Sequence, residues 1–261
     1  PTKITQNYRS RSYSQSRTAL PSIKLDYVFN DKHRASFLYS HYFNPAQRSI
    51  NAIEGLPGTG FPTDVLIEYY RYNHDYVIKP NLLSHLTIGF NKRRLVEAPP
   101  SVWNAPKDWA TLFALQGVPT PIPPGVNTVF GAGGITWGNS VFTDSRQRTF
   151  DLKEQLAWIT GKHTLKFGMQ YLKGQYRRLD YNNAFGSMSF SGGGTGNPTV
   201  ANSGSDWASF LLGVASGGSF RYPSDTTFFW PYYAWYAQDD FKVNRKLPLN
   251  IGLRYEIPVP K

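Results

Sequence analysis

Cysteine is absent from this chain of 261 residues, which rules out a disulfide framework and any zinc site built on thiolates. No stretch approaches the roughly 18 consecutive apolar residues that a membrane-spanning helix needs. That absence leaves strands open, because they cross a bilayer with alternating hydrophobicity and give a weak hydropathy signal. There is also no continuous run of like charge. The 28 Lys and Arg outnumber 17 Asp and Glu for a net charge of +11, but they are spread along the whole chain. A dispersed excess reads as solvated rims and loops, not as a nucleic-acid-binding tract. The first residues, PTKITQNYRS, lack the pattern of a secretory leader. A chain of this kind in a membrane is therefore expected to be a mature or internal piece.

What is present is aromatic and rich in turn residues. There are 17 Tyr, 17 Phe and 7 Trp, and Gly and Pro number 23 and 19. Hydrophobic residues at 40% and charged residues at 17% exclude a chain disordered throughout. The Gly and Pro content points to many turns and few long helices.

Four tight turns are each flanked by alternating segments, and successive side chains on a strand face opposite ways. Around NDK, Ile23, Leu25, Tyr27 and Phe29 alternate with Lys24 and Asp26, and Ala35, Phe37 and Tyr39 answer on the return. Around KPN, Leu86, Ile88 and Phe90 share a face. Around TGK, Phe150, Leu152, Leu156 and Trp158 alternate with Asp151, Lys153 and Gln155. The return strand sets Leu165, Phe167, Met169 and Tyr171 against Lys166, Gly168 and Gln170. Around NRK, Leu249, Ile251, Leu253 and Tyr255 oppose Asn250, Gly252, Arg254 and Glu256. Asn, Asp, Gly and Pro are the residues such reversals favour. Between Tyr232 and Phe241 both faces carry aromatics, so periodicity there is weak.

The connections between hairpins, roughly Phe43 to Asp64, Leu95 to Ser145 and Asn182 to Phe228, are long and rich in Gly, Pro and Asn. Two of them contain helix signals. KDWATLFALQGVP offers Asp108 as N-cap and Gly117 as stop, and GSDWASFLLGV offers Ser205 or Asp206 and Gly213. Eight strands that alternate short turn and long loop put all short turns at one end of a sheet. That layout predicts an all-β, antiparallel transmembrane β-barrel segment of about eight strands. Loops this long are uncommon in compact soluble domains. Two alternatives remain: a soluble β-sandwich or jelly roll that binds carbohydrate through loop Trp and Tyr, and a passive porin-type barrel.

No residue set points to catalysis, a metal or a cofactor. Asp239 and Asp240 are neighbours on a strand and face apart, so they cannot flank one glycosidic bond. The five histidines show no metal-ligand spacing. His33 and His163 follow turns at matching places, in NDKHRAS and TGKHTLK, which reads as hairpin chemistry. The clusters at Gly131–Gly134 and Ser191–Gly196 lack the Gly-Lys-Ser/Thr of a phosphate-binding loop. GNSVF has Phe142 where a nucleophile elbow needs Gly. QYRRLDY interleaves Arg with aromatics, as single-stranded nucleic-acid binders do, but on a long strand it reads as an aromatic girdle and polar rim.

YYAWYAQDDFKVNRKLPLNIGLRYEIPVP resembles the barrel hairpin of TonB-dependent outer-membrane receptors. The match is carried by Gln238, Asp239, Asp240, Phe241, Leu247, Leu249, Asn250, Gly252, Leu253, Arg254, Tyr255 and Glu256. Phe241 stands where Trp is usual and Pro248 where Thr is frequent. SIKLDYVFNDKHRASFLYS, WITGKHTLKFGMQYLKGQ and GSMSFSGGGTGNPTVANSGSDWASFLLGVAS resemble the Oar-like branch, whose members have a carboxypeptidase-regulatory-like N-terminal domain. The resemblance runs from about Ala19 to the end, with residues 1–20 a loop or the end of a preceding strand.

That resemblance implies part of a 22-stranded barrel with a plugged lumen, residing in the outer membrane. Such a receptor binds a nutrient at the cell surface and imports it with energy supplied by TonB. Plug and TonB-contacting segments are not visible in this chain, which is expected to be an internal barrel fragment without enzymatic activity. Its expected partners are outer-membrane lipid, the plug of the same polypeptide, TonB through that plug, and an unknown nutrient. Nucleic acid is not among them. Leu165, Phe167, Met169, Leu249, Ile251 and Leu253 are expected to face lipid. Asn250, Gly252, Arg254 and Glu256 are expected to face a wet lumen or the plug, with Gly168 and Gly252 small to let the plug approach.

Overall fold

The computed structural model describes residues 17–44, 63–98, 142–184 and 186–259, and the backbone of two short strands at 125–127 and 136–137. The strands are β1 (Ser22–Asn30), β2 (His33–Asn44), β3 (Thr63–Lys79), β4 (Leu82–Glu97), β5 (Gly125–Asn127) and β6 (Thr136–Trp137). They continue with β7 (Thr143–Thr160), β8 (His163–Asp180), β9 (Ser187–Ser189), β10 (Gly217–Ser219), β11 (Ser224–Asn244) and β12 (Leu247–Pro258). Among the described residues one α-helix, α1, spans Asp206–Leu211. Eight strands form a single sheet in the order β1-β2-β3-β4-β7-β8-β11-β12, and the short β10-β9-β5-β6 form a second. Every neighbour in the large sheet is antiparallel.

The turns follow from their residues. Asn30 Oδ1 accepts from the backbone N–H of Lys32 and His33 at 2.9 and 3.0 Å. Asn244 Oδ1 does the same for Lys246 and Leu247, at the same two distances. These side chains mimic a backbone turn and cap the hairpin. Gly161 supplies the positive φ of +57° in the third turn, a conformation that costs glycine nothing.

The strands are long. β3, β4, β7 and β8 have 17, 16, 18 and 18 residues, and β11 has 21. About 9–11 residues suffice to cross a bilayer, so each projects well past it. The long connections are accordingly shorter than periodicity indicated, because ladder pairing continues to Glu97 on β4 and starts at Thr143 on β7 and Ser224 on β11. Pro231 interrupts the pattern within β11, yet the strand carries on. Its carbonyl accepts from Val259 N–H at 3.1 Å. Its nitrogen therefore faces the side where β12 ends at Pro258, and no ladder donor is missed.

Residues paired across strands share a face, which separates the sheet into two surfaces. One row runs Leu25, Phe37, Tyr72, Ile88, Leu152, Tyr171, Tyr233, Ile257, an apolar or aromatic residue on each of eight strands. On the other face a row runs Arg34, Asp75, His85, Gln155, Gly168, Tyr236, Arg254. The weak periodicity of β11 thus resolves: Tyr233 and Trp235 belong to the apolar face, Tyr232 and Tyr236 to the polar one.

Neither surface is covered by a core among the described residues. Among the described residues the buried hydrophobics are only Val96, Ala98, Ala184, Phe190 and Ala234. Phe167 and Met169 are each 44% exposed, and Leu253 78%. A sandwich needs a second sheet of matching size over the apolar face, and the strands of the second sheet here have two or three residues each. No helix among the described residues is long and apolar enough to cross a membrane.

Two sequence expectations concern the loops. The helix at Asp108–Gly117 lies outside the described residues. The second forms: Ser205 caps α1, its Oγ accepting from Ala208 N–H at 3.4 Å, and Gly213 follows at φ +70°.

Candidate functional site

The polar face carries a series of hydrogen-bonded clusters. Near the short turns, Lys166 Nζ and Gln238 Nε2 both donate to Asp240, each at 2.7 Å. One row on, His85 Nδ1 lies 2.5 Å from Asp75, and the Tyr236 hydroxyl donates to Gln155 Oε1 at 2.8 Å, two strands away. The ring of Tyr236 spans that distance by lying over Gly168, where a Cβ would sit 2.1 Å from its Cε1. Trp230 covers Gly174 in the same way, with 1.9 Å to Cε2. Gly168 is therefore small because Tyr236 occupies its space, whatever approaches from the lumen. Farther up, Asn73 joins Ser36 and Thr87, each at 3.0 Å, and Gln170 donates to Asp151 at 2.8 Å. Arg34, Asp75, His85 and Gln155 line a recess of about 480 Å³ near the short turns.

The Gln238–Phe241 stretch divides between the faces. Gln238 and Asp240 join the polar-face clusters. Asp239 lies on the apolar face, opposite Leu165 and Ile251, where its Oδ2 is 2.7 Å from His163 Nδ1. His163 stacks on Phe241 with centroids 4.3 Å apart. His33, after the first turn, stacks likewise on Tyr76 at 4.1 Å. The matching positions of these two histidines thus mark matching ring contacts beside turns. Asn250 and Gly252 pair with Asp240 and Gln238, and Tyr255 with Trp235. Arg254 binds Glu256 and the Tyr232 hydroxyl. Leu165, Phe167 and Met169 share the apolar face with Leu249, Ile251 and Leu253. Among the described residues no three His, Asp or Glu converge as metal ligands would.

Glu154 escaped the periodic reading. It pairs with Leu86 and Met169 on the apolar face and accepts from Ser84 Oγ at 2.6 Å. Strand parity alone would have found it.

At the opposite end, the β8–β11 connection is a folded unit. Thr195 Oγ1 donates to Ser205 O and accepts from Ser205 N–H, both at 3.0 Å. Ser209 is fully buried, and Phe210 meets Phe190 edge-on at 5.2 Å. Gly204 packs so closely that a Cβ would fall 1.6 Å from Gly192 O. Leu211, Leu212 and Tyr222 remain exposed, at 78%, 71% and 81%. Nearby Asp144, 6% exposed, is held by Arg94 at 2.9 Å and Arg146 at 2.7 Å. Asp144→Ala is expected to cost about 1–3 kcal/mol, because it leaves two adjacent guanidinium groups without their shared carboxylate. Unfolding in vesicles at low and high salt checks this; added salt should shrink the loss.

An antiparallel sheet with one apolar and one polar face, short turns at one end and long loops at the other, defines an outer-membrane β-barrel. The chain matches the outer membrane beta barrel domain family over residues 1–261 and belongs to it. It is accordingly a protein of the outer membrane. Among solved structures it is similar to the outer membrane transporter YddB from Escherichia coli, with a TM-score of 0.64 at 12% identity, over 94% of this chain. The chain spans 28% of YddB. The ferric-catecholate import receptor Fiu from E. coli K12, open form, aligns over 95% of this chain and 36% of its own at 12% identity, with a TM-score of 0.45. Comparison with curated proteins gave no match.

Proposed function

We propose that this chain contributes eight consecutive barrel strands to a TonB-dependent receptor of the Oar-like branch, which binds a nutrient at the cell surface and imports it. The observation that carries the reading is the two-faced sheet, whose end strands β1 and β12 have no second neighbour among the described residues. An uncovered apolar row on all eight strands suits lipid, and the hydrogen-bonded face suits a lumen filled by a plug. The apolar set includes Leu165, Phe167, Met169, Leu249, Ile251 and Leu253. The likeness to a transporter more than three times the length of the aligned segment supports a larger barrel. Gln238, Asp240 and Lys166 then fix the sheet near the periplasmic turns, and the chain performs no catalysis.

Two measurements test this. The chain has no cysteine, so single cysteines placed in it, on a background cleared of any other cysteine, report sidedness. Val200→Cys, in the β8–β11 connection, should react with an impermeant maleimide on intact cells, and Arg245→Cys only after lysis. The reverse result inverts the topology. In planar bilayers the intact protein should hold no steady conductance and should bind the periplasmic domain of TonB. A stable open pore without TonB binding would identify a passive porin instead.

A further inference from the structure

We propose that cations on the apolar face, at its long-loop end, bind the phosphates of a phosphorylated membrane lipid. The idea rests on the reading that this face meets lipid. Register puts Lys92 beside Arg148, Lys173 beside Phe150 one row nearer the apolar band, and Arg94, Arg146 and Arg177 one row farther out. Three carboxylates offset this group. Glu68 pairs with Lys92 at 2.7 Å, Asp144 with Arg94 and Arg146, and Asp225 with Arg177. Arg148 and Lys173 are exposed and make no ion pair among the described residues.

The arrangement selects the kind of ligand. Strands β4, β7 and β8 are neighbours about 4.8 Å apart, and Lys173 is offset by one row, so Lys92, Arg148 and Lys173 lie within roughly 12 Å. A headgroup bearing two phosphates covers that distance. Guanidinium groups bind phosphate in a bidentate fork. Immediately below Lys92 and Arg148, and in the row that ends on Lys173, Tyr70, Phe90 and Phe150 form an aromatic row of the kind found where headgroups meet acyl chains. A ligand that satisfies both rows carries anionic groups above and hydrocarbon below. Free phosphate, nucleic acid and an acidic protein surface supply only the first.

The test reconstitutes the intact protein in phosphatidylcholine vesicles containing lipid A with both phosphates, or with both removed. Glycolipid that stays bound is quantified by native mass spectrometry. The phosphorylated form should be retained and the dephosphorylated form lost. Each Lys or Arg near an anionic surface is worth about a factor of five, so Arg148→Gln with Lys173→Gln should weaken retention about thirtyfold. The single variants, at about fivefold each, serve if the double variant does not insert. Arg93→Gln, on the opposite face of β4, should leave retention unchanged, and inorganic phosphate should not compete. Equal retention in the double variant, equal retention of dephosphorylated lipid, or displacement by inorganic phosphate would overturn the proposal alone. Loss with Arg93→Gln but not with Arg148→Gln and Lys173→Gln would overturn the lipid-facing assignment beneath it.

Discussion

Arg in place of Phe167 or Leu253 is expected to destabilise the intact barrel by roughly 2–4 kcal/mol, the cost of a cation near the middle of the lipid-exposed surface. The two positions lie in one row, Leu156, Phe167, Ala237, Leu253, with no carboxylate in that row to receive the charge. Ile251→Arg should cost less, since Ile251 pairs with Asp239. On the polar face, Gln170→Arg arrives beside Asp151 and Asn250→Arg opposite Asp240, so both should be well tolerated. Reversible unfolding in lipid vesicles compares the pairs. Equal penalties on the two faces would mean that both are packed against protein. A larger penalty at Gln170 and Asn250 would exchange inside and outside.

The second large effect is expected at Gly168. A methyl group there would lie 2.1 Å from the Tyr236 ring, so the ring must swing away and release Gln155. Overpacking and a lost hydrogen bond together should cost about 2–4 kcal/mol. The cause is specific to one partner, which a double-mutant cycle isolates. In a Tyr236→Leu background Gly168→Ala should cost under about 1 kcal/mol. Tyr236→Phe keeps the ring and removes only the hydroxyl, so it should lose about 1 kcal/mol. If Gly168→Ala is as costly without the ring as with it, something else holds that surface.

Much of this architecture is legible in the sequence because turn chemistry and strand parity act locally. Asn30 and Asn244 bond the turns in which they sit, and parity assigns Leu249, Ile251 and Leu253 to one face without knowledge of any neighbour. Ser205 and Gly213 similarly bracket α1. Parity also separates Asp239 from Asp240. What it cannot supply is the partner: His163 and Lys166 lie more than 70 residues earlier and reach those carboxylates only through the β8–β11 register. Gly168 was legible as small, but its reason is a ring on another strand. The reach of β11 was hidden by Pro231 and by aromatics on both faces. Glu154 went unread because an acid among Leu152, Leu156 and Trp158 breaks the expected alternation in character while keeping it in position.

The four two-residue turns have a consequence for how the sheet reaches its membrane. A hairpin whose turn closes through its own asparagine or glycine can form before its neighbours do, and closing so short a loop is fast. Such hairpins would arrive as pre-paired units from the side where the turns remain. Asp31, Lys32, Lys162, Arg245 and Lys246 then stay on the side of entry. On the proposed topology translocation falls on the long connections, and the β8–β11 unit is expected to cross before it acquires the tight glycine packing it shows in place.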